Sequence, residues 1–265
     1  MTSRSELRKS FPVEFSDLLT PLGRSVLRGG APQFRSMFRA NGTPFVVLNS
    51  MIDRQIAGAC TQLLDRRMHA LLSPYSSRIP ADSIRSMKSN YTESLEKVFR
   101  FKTAFLSRRT ARAYERAEAL GILTMMRSET FATFAEAVTG LLLVRPPGLQ
   151  IICYEHGDYV GPHNDYHPEE DPLCRGYVDI HLTFSNNAVE HQFLVYERGR
   201  HLSQIVDVNL KGGISIYKLP FWHQVTPLVG KPGQEREARR WLLLGTFDIQ
   251  TGTKNGARPR KGMEA

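Results

Sequence analysis

Downstream of residue 147, the chain is divided into short stretches rich in Ile, Val, Tyr and Phe, and this pattern limits its fold more than any other feature. The stretches are LQIICY, YVDIHLTFS, HQFLVYE, GGISIYKL, HQVTPLV and RRWLLLGTFDI. Branched and aromatic residues favour strands, and the Gly, Pro, Asn and Asp residues between them favour turns. Many short strands with frequent turns are typical of a sandwich or barrel, of which the jelly roll is one form.

The region before residue 147 has helical periodicity instead. Residues 51–72 place apolar side chains at three- and four-residue steps, and residues 107–123 are rich in the helix formers Ala, Arg and Glu. Residues 128–140 begin with Ser128, a suitable N-cap, and end with Gly140, a suitable stop. We expect the apolar face of this last helix to pack on the sheet, and its members are Phe131, Phe134 and Val138.

These patterns predict an α+β protein in which a helical region packs on a sandwich or barrel, and a jelly-roll, cupin-like barrel is one such arrangement. Four segments follow from the changes in composition. They are an N-terminal extension (1–44), a helical support region (45–147), a jelly-roll core (148–249) and a basic, flexible tail (250–265). Within the support region, the polar link 73–95 is expected to form a loop over the barrel.

The composition indicates a cytoplasmic globular protein. Hydrophobic residues make up 41% of the chain and charged residues 23%. No run of about 18 apolar residues exists, so we expect no membrane span. The N-terminus MTSRSELRKSFPVEF lacks an apolar signal core, which argues against secretion. The three cysteines, Cys60, Cys153 and Cys174, are odd in number and widely spaced, so we expect reduced thiols.

The positive charge is concentrated in the first half of the chain. Residues 1–150 contain 22 Lys and Arg against 12 Asp and Glu, whereas residues 151–265 contain 13 and 14. A basic half can bind nucleic acid, an acidic substrate or an acidic partner. No nucleic-acid motif is present, so we favour an arginine-rich surface over a basic nucleic-acid-binding module on a barrel scaffold. Nucleic-acid binding through phosphates would weaken steeply as the salt concentration rises.

Three His-x-carboxylate pairs lie close together, and the middle one is the best candidate for a metal site. His163 and Asp165 follow DYVGP, which has the pattern of a strand end. Residues two apart on a strand share a face, so an imidazole and a carboxylate could bind one ion, with Asn164 facing away. The other pairs are His156-x-Asp158, which contains a glycine turn, and His167-x-Glu169, which we expect in a solvated loop.

A third ligand must come from a distant strand. A non-haem Fe(II) centre uses two histidines and one carboxylate, which leaves positions open for substrate and oxygen. His223 lies 60 positions after His163 in LPFWHQVTPLVG, behind a Gly-Gly turn and the strand-like ISIYKL. In a jelly roll, strands far apart in sequence lie side by side, so this separation is no obstacle.

With these parts in order, residues 148–249 resemble the double-stranded β-helix of the Fe(II)/2-oxoglutarate-dependent dioxygenases, prolyl-hydroxylase-like branch. The matching segments are LQIICYEHGDYVGPHND, LKGGISIYKLPFWHQVTPLVG and RRWLLLGTF. The resemblance implies that His163, Asp165 and His223 bind Fe(II). It also implies an oxidoreductase, most often a hydroxylase, that consumes 2-oxoglutarate and O2 and releases succinate and CO2.

The resemblance further implies a basic residue that pairs with the far carboxylate of 2-oxoglutarate. A guanidinium fixes such a carboxylate by two parallel hydrogen bonds. Arg239 and Arg240 both qualify, and relatives place the basic residue directly before an aromatic, with another aromatic seven positions on. Trp241 and Phe247 therefore favour Arg240, although a shift of one residue would reverse every face. Strand alternation then predicts that Arg240 shares the inward face with Leu242, Leu244 and Thr246.

Two further side chains have alternative interpretations. Tyr154 occupies the position where relatives place a tyrosine near the cosubstrate, and it could equally be a core tyrosine with a satisfied hydroxyl. His181, within YVDIHLTFS, could face the barrel interior, but we favour a hydrogen-bonded structural histidine. His223 and Arg239 are 16 positions apart, more than in many relatives, and the intervening KPGQEREA predicts an enlarged hairpin.

The resemblance implies hydroxylation of an unactivated C–H bond of an amino acid, a peptide or a small metabolite. The partner would then be a small-molecule or peptidyl substrate, and we expect its specificity to depend on the loops 73–95, 166–177 and 186–203. An alternative is a cupin-like metalloenzyme that does not use 2-oxoglutarate. That alternative keeps the metal but leaves Arg240 without a role.

Overall fold

The computed structural model describes residues 9–29, 32, 33, 35, 44–77, 98–163, 165, 176–198, 202–207 and 211–250. Its helices include α1 (Pro21–Leu27), α2 (Arg54–Arg67), α3 (Arg112–Ala119), α4 (Ile122–Met126) and α5 (Glu129–Thr139). Short 3-10 turns occur at Phe15–Leu18, His69–Leu71 and Glu235–Glu237. No helix within these ranges is long and apolar enough to span a membrane.

The strands form one curled antiparallel sheet and a small two-stranded sheet. They are β1 (Phe45–Leu48), β2 (Ser73–Ser76), β3 (Phe99–Phe105), β4 (Gly148–Glu155), β5 (Tyr159–His163), β6 (Tyr177–Ser185), β7 (Val189–His191), β8 (Phe193–Arg198), β9 (Leu202–Asp207), β10 (Gly213–Leu219), β11 (His223–Val225), β12 (Val229–Gly230) and β13 (Arg239–Asp248). The large sheet has the order β1-β10-β6-β13-β4-β3-β5-β11-β8-β9, with β2 paired to β3, while β12 pairs with β7.

Two four-stranded runs of the large sheet, β10-β6-β13-β4 and β5-β11-β8-β9, enclose a cavity to which both contribute side chains. Apart from β8 and β9, which follow each other in sequence, neighbours in each run are not consecutive strands, as in the Greek-key connections of a jelly roll. The predicted double-stranded β-helix is therefore confirmed.

The helices cover the outer face of the first run, as predicted. Phe131 on α5 lies 5.8 Å, centroid to centroid, from Phe247 on β13. This approach requires Gly245, because a Cβ there would lie 2.7 Å from the Phe131 ring. Burying a side chain of this size stabilises the fold by roughly 1.5–3 kcal/mol. Trp241 adds a polar link, since its indole N–H donates a 2.8 Å hydrogen bond to Asp65 on α2.

The ends of α5 fall where the sequence predicts them, but Ser128 acts differently from a usual N-cap. Gly140 has a left-handed φ of 70° at the C-terminus, as a stop glycine should. Ser128 precedes the first helical residue, yet its side chain makes no capping hydrogen bond within the helix. Instead, its hydroxyl accepts a 3.3 Å hydrogen bond from the backbone N–H of Phe15. The serine therefore attaches the N-terminal segment to α5.

The structure adds to two predictions for the first half of the chain. The region 45–147 is not only helical, because β1, β2 and β3 extend the large sheet. These strands are short, and their alternation is too brief to stand out from the helical pattern. The described part of the segment 1–44, predicted as an N-terminal extension, contributes apolar side chains to the main core; they include Phe11, Phe15, Leu18 and Val26.

Several predicted loops also differ from expectation or lie outside the described residues. The segment 186–203 contains β7, β8 and the start of β9, and the link 73–95 begins with β2. Outside the described residues are Asn164, His167, Glu169, Cys174, most of the loop 166–177, the link from residue 78 to 97 and the tail from residue 251. Cys60 and Cys153 are buried free thiols, as expected.

Candidate metal centre and cavity

The structure brings the three predicted metal ligands together. Ligand atoms of His163, Asp165 and His223 all lie within 4.8 Å of one another. The Asp165 Oδ2 atom is 3.2 Å from His163 Nε2 and 3.7 Å from His223 Nε2. β5 and β11 pair antiparallel with His163 directly opposite His223, so the sheet register accounts for this contact.

Asp165 reaches the cluster in a different way from the one predicted. β5 ends at His163, so the two residues do not share a face of one strand. Asp165 instead has a left-handed backbone with a φ of 54°. Aspartate adopts this conformation more readily than most residues, and such strain is frequent at functional sites. The turn immediately after the strand brings the carboxylate to the histidines.

Both imidazoles are oriented by the same kind of hydrogen bond. His163 Nδ1 lies 2.7 Å from the Gly161 carbonyl oxygen, and His223 Nδ1 lies 2.9 Å from the Phe221 carbonyl oxygen. A carbonyl only accepts hydrogen bonds, so each Nδ1 carries the hydrogen and donates it. The lone pair of each ring is therefore on Nε2, the atom that faces Asp165. Two such nitrogens and one carboxylate oxygen fit the donor set of non-haem Fe(II).

The cluster opens into a cavity of about 370 Å³. The two histidines are almost fully buried, whereas the Asp165 side chain is 26% exposed. Pockets for small ligands have volumes of roughly 300–1,000 Å³, so this cavity is at the small end. All five predicted site residues line it, namely Tyr154, His163, Asp165, His223 and Arg240.

Arg240 is buried in the cavity wall, and the nearby charge of Asp207 acts on it without a salt bridge between the two in the described part of the chain. The arginine is 2% exposed, and among the described residues no carboxylate forms a salt bridge with it. Its Nη1 donates a 2.9 Å hydrogen bond to Gln192 Oε1, and its Nε has no hydrogen-bond partner in the described part of the chain. Burial lowers the pKa of Arg240, because it disfavours the charged guanidinium. An anionic ligand would offset this cost.

Gln192, which the sequence pattern does not single out, holds Arg240 in place. Its amide nitrogen donates to the carbonyl oxygens of Thr226 at 3.0 Å and Asp158 at 3.3 Å. These bonds turn the amide oxygen toward Arg240. Gln192 lies in a predicted strand, HQFLVYE, where nothing in the sequence distinguishes a buried glutamine from an exposed one.

Arg239 lies on the opposite face of β13. Its Nε is 3.4 Å from Glu155 Oε1, and Glu155 also contacts Lys102 Nζ at 2.9 Å. Burial raises the pKa of Glu155, but hydrogen bonds from Lys102 and His69 outweigh it, and the pKa is lowered. The inward set predicted for β13 is confirmed, since Arg240, Leu242, Leu244 and Thr246 all line the cavity.

Tyr154 and His181 both face the cavity. Tyr154 pairs with Arg240 across β4 and β13, and the guanidinium carbon is 5.5 Å from its ring centroid. Burial raises the pKa of Tyr154 to about 12, so its hydroxyl stays protonated at neutral pH. The sequence favours a hydrogen-bonded structural role for His181, and for one of its ring nitrogens this is wrong. Its Nε2 is buried without a hydrogen-bond partner in the described ranges, although the residue lines the cavity.

No protein-family model matches the chain, and no curated protein does. Solved structures do match. An oxidoreductase of the 2OG-Fe(II) oxygenase family from Burkholderia pseudomallei has a TM-score of 0.55 and 11% identity, covering 83% of this chain and 91% of that one. A prolyl-4-hydroxylase from Pseudomonas putida has a TM-score of 0.52 and 12% identity, covering 83% and 98%.

A third matching structure is named for a different reaction. A non-heme alpha ketoglutarate dependent carbocyclase from nogalamycin biosynthesis has a TM-score of 0.52 and 11% identity, covering 88% of this chain and 93% of that one. At sequence identities this low, the similarity shows a shared fold and nothing more. The chain has the fold of the 2-oxoglutarate/Fe(II) oxygenases, including the prolyl-hydroxylase-like branch.

Proposed function

We propose that this protein is an Fe(II)- and 2-oxoglutarate-dependent oxygenase that hydroxylates an unactivated C–H bond. One observation carries the proposal. A single cavity contains both a cluster of two histidines and one carboxylate and a buried arginine that forms no salt bridge within the described ranges. A metal site alone needs no such arginine, whereas a dicarboxylate cosubstrate needs both. The shared fold supports the same conclusion.

Different residues of the chain have different roles in this proposed function. His163, Asp165 and His223 hold the iron through Nε2, a carboxylate oxygen and Nε2. When bound, iron and 2-oxoglutarate supply the oxidation, in which O2 converts the substrate C–H to C–OH and 2-oxoglutarate to succinate and CO2. In this proposal residues 148–249 form the catalytic core, and residues 45–147 support it.

Arg240 binds the far carboxylate of 2-oxoglutarate. Gln192 holds one edge of the guanidinium through Nη1, and the guanidinium lines the same cavity as the metal ligands. The protonated hydroxyl of Tyr154 is available as a second donor on the neighbouring strand. Together these groups fix the position and direction of the cosubstrate, and correct orientation is a large part of catalysis.

Apolar side chains form part of the wall of the same cavity. They include Ile152, Val160, Val225 and Leu242. This lining limits the water that reaches the reacting groups and strengthens each electrostatic contact in the cavity. The buried free thiols of Cys60 and Cys153 support a reducing compartment, so we place the protein in the cytoplasm.

Succinate formation tests this function. We expect protein purified without oxygen to release succinate when Fe(II), 2-oxoglutarate and O2 are supplied. His163→Ala is expected to lose both iron and turnover. Arg240→Ala is expected to raise the KM for 2-oxoglutarate, while Arg239→Ala on the opposite face serves as the matched control. If neither iron nor 2-oxoglutarate binds, the function is wrong.

The same experiment separates the alternatives. A cupin-like metalloenzyme without 2-oxoglutarate would keep its metal in Arg240→Ala and show no dependence on the cosubstrate. The substrate in our proposal is an amino acid, a peptide or another small metabolite, because the cavity is small once 2-oxoglutarate is inside it.

A further inference from the structure

Two polar side chains on β6 line the cavity, and each has a buried atom that lacks a hydrogen-bond partner among the described residues. Asp179 is 8% exposed, and its Oδ1 has no hydrogen-bond partner in the described part of the chain. His181 Nε2 is also buried and has no hydrogen-bond partner among the described residues. It lies 3.9 Å from Asp179 Oδ2. Leaving a buried carboxylate oxygen without a donor is costly, so this pair is built for a group that the chain itself does not supply.

The pair lies away from the end of the cavity assigned to 2-oxoglutarate. The register of β13 with β6 places Arg240 opposite Ser185 and Thr246 opposite Asp179. Six residues therefore separate the two ends, which corresponds to about 20 Å along a strand at roughly 3.3 Å per residue. Arg240 and Asp179 therefore occupy opposite ends of the part of the sheet that lines the cavity.

The pair is nevertheless within reach of the metal cluster. Tyr217 lies opposite Asp179 on β10, and its ring centroid is 4.3 Å from that of His181 and 5.7 Å from that of His223. One tyrosine ring thus stands between the pair and a metal ligand. A small molecule bound by Asp179 and His181 can present a C–H bond to the metal.

An aromatic wall on β2 and β3 gives a second, independent indication of the ligand. Tyr75 stacks on Phe99 with centroids 4.5 Å apart, and both rings line the cavity. Phe101 and Phe105 continue the wall. Tyr75 is 42% exposed and Phe105 is 46% exposed, which is unusual for large apolar side chains. Aromatic faces attract cations as well as apolar groups.

The charges of the cavity agree with this indication. Its charged side chains are Asp165, Asp179 and Arg240. In the proposed function the iron neutralises Asp165 and 2-oxoglutarate neutralises Arg240. The remaining charged side chain is then Asp179, which is negative and lies 3.9 Å from His181 Nε2.

We propose that Asp179 and His181 bind a protonated amino group of the substrate, so that the substrate is a small primary amine or a free amino acid. This inference rests on the proposed function. The ammonium donates to the Asp179 carboxylate beside His181, since both side chains keep some exposed surface, and its carbon chain packs on the aromatic wall. An acidic substrate, which the basic first half of the chain would favour, does not fit this end of the cavity.

Matched amine and amide probes test the inference. Butylamine, 2-phenylethylamine and L-phenylalanine are titrated calorimetrically into Mn(II)-loaded protein with 2-oxoglutarate, each beside its N-acetyl form. We expect at least one amine to bind about tenfold or more tightly than its acetylated form, as a charge-assisted hydrogen bond predicts. Asp179→Asn should remove that preference and keep the affinity for 2-oxoglutarate.

Glu190→Gln, an exposed carboxylate on β7, is the control and should keep the amine preference. If Asp179→Asn does not fold, His181→Gln provides a second test. This variant should reduce the preference for amines over their N-acetyl forms. Equal binding of amines and amides, or an unchanged preference in both variants, overturns the inference. Because the titration needs no turnover, succinate formation by the native protein without amine preference refutes this inference alone and leaves the oxygenase function intact.

Discussion

The two faces of β6 have opposite characters. Its outward side chains are apolar, have no exposed surface and share a core with the helices; they are Val178, Ile180, Leu182 and Phe184. Its inward side chains are polar and face the cavity side; they are Tyr177, Asp179, His181, Thr183 and Ser185. Because side chains alternate along a strand, one segment of nine residues can stabilise the fold on one face and bind ligands on the other.

The inward face lowers stability, and the outward face compensates for it. Buried atoms of four inward side chains have no hydrogen-bond partner in the described ranges, and they are Asp179 Oδ1, His181 Nε2, Thr183 Oγ1 and Ser185 Oγ. Each such atom costs about 1–3 kcal/mol. Local violations of this kind are typical of functional sites. The comparison therefore predicts that changes to the two faces have separable effects.

The largest effect is expected at the metal cluster. His223→Ala removes one of three ligand side chains, so turnover should fall to the background rate and the bound iron should be lost. The outward change Ile180→Val should keep the native turnover per folded molecule. Succinate release and iron content measure both. If His223→Ala retains iron and activity, the cluster is not the catalytic centre.

The next largest effect is on stability. Leu182→Ala leaves a cavity beneath the helices and should lower the free energy of unfolding by about 2–5 kcal/mol. The KM for 2-oxoglutarate should not change. Urea denaturation measures the first quantity and steady-state kinetics the second. A Leu182→Ala protein with native stability but altered KM would mean that the two faces do not act separately.

A smaller effect is expected at the arginine. Arg240→Met should weaken 2-oxoglutarate binding about 10- to 100-fold, as the loss of a charge-assisted hydrogen bond predicts. Stability should stay the same or rise, because an apolar side chain of similar volume replaces a buried charge. Arg239→Met should leave 2-oxoglutarate binding near native. Should Arg239→Met have the larger effect on affinity, the assignment of the two arginines is reversed.

The smallest effect is expected from Thr183→Val on the inward face. The change replaces a buried hydroxyl that has no hydrogen-bond partner among the described residues with a methyl group of the same shape. Removing such a group should raise the free energy of unfolding by about 0–2 kcal/mol. Thermal denaturation measures this, with Thr183→Ala as the control for lost volume. Clear destabilisation by valine would show that the hydroxyl has a partner.

The parts of the fold that the sequence predicts are those with long, regular patterns. β6 and β13 are nine and ten residues long and rich in strand formers, so both their existence and the inward set on β13 could be predicted. α2 and α5 have clear helical periodicity, and α5 ends at a stop glycine. By contrast, β1 has four residues, and its pairing with β10 is decided by tertiary contacts.

The candidate site divides in the same way. His163, His223 and Arg240 could be predicted because their residue types and order have a chemical meaning. The left-handed turn at Asp165 could not, since aspartate is common in ordinary turns and strand ends. Gln192 and Asp179 were missed because their roles depend on burial and on neighbours across the sheet, which residue type alone does not reveal.

Trp241 and Arg240 are neighbours in sequence and face opposite ways. Arg240 lines the cavity, and the Trp241 indole donates a hydrogen bond to Asp65 on α2. A fragment that starts at residue 148 would lack this acceptor and expose the apolar back of β13 to water. The barrel of this chain therefore depends on the helical region and would not be stable by itself. Anyone who transplants its active site into another protein must carry the helical half along with it.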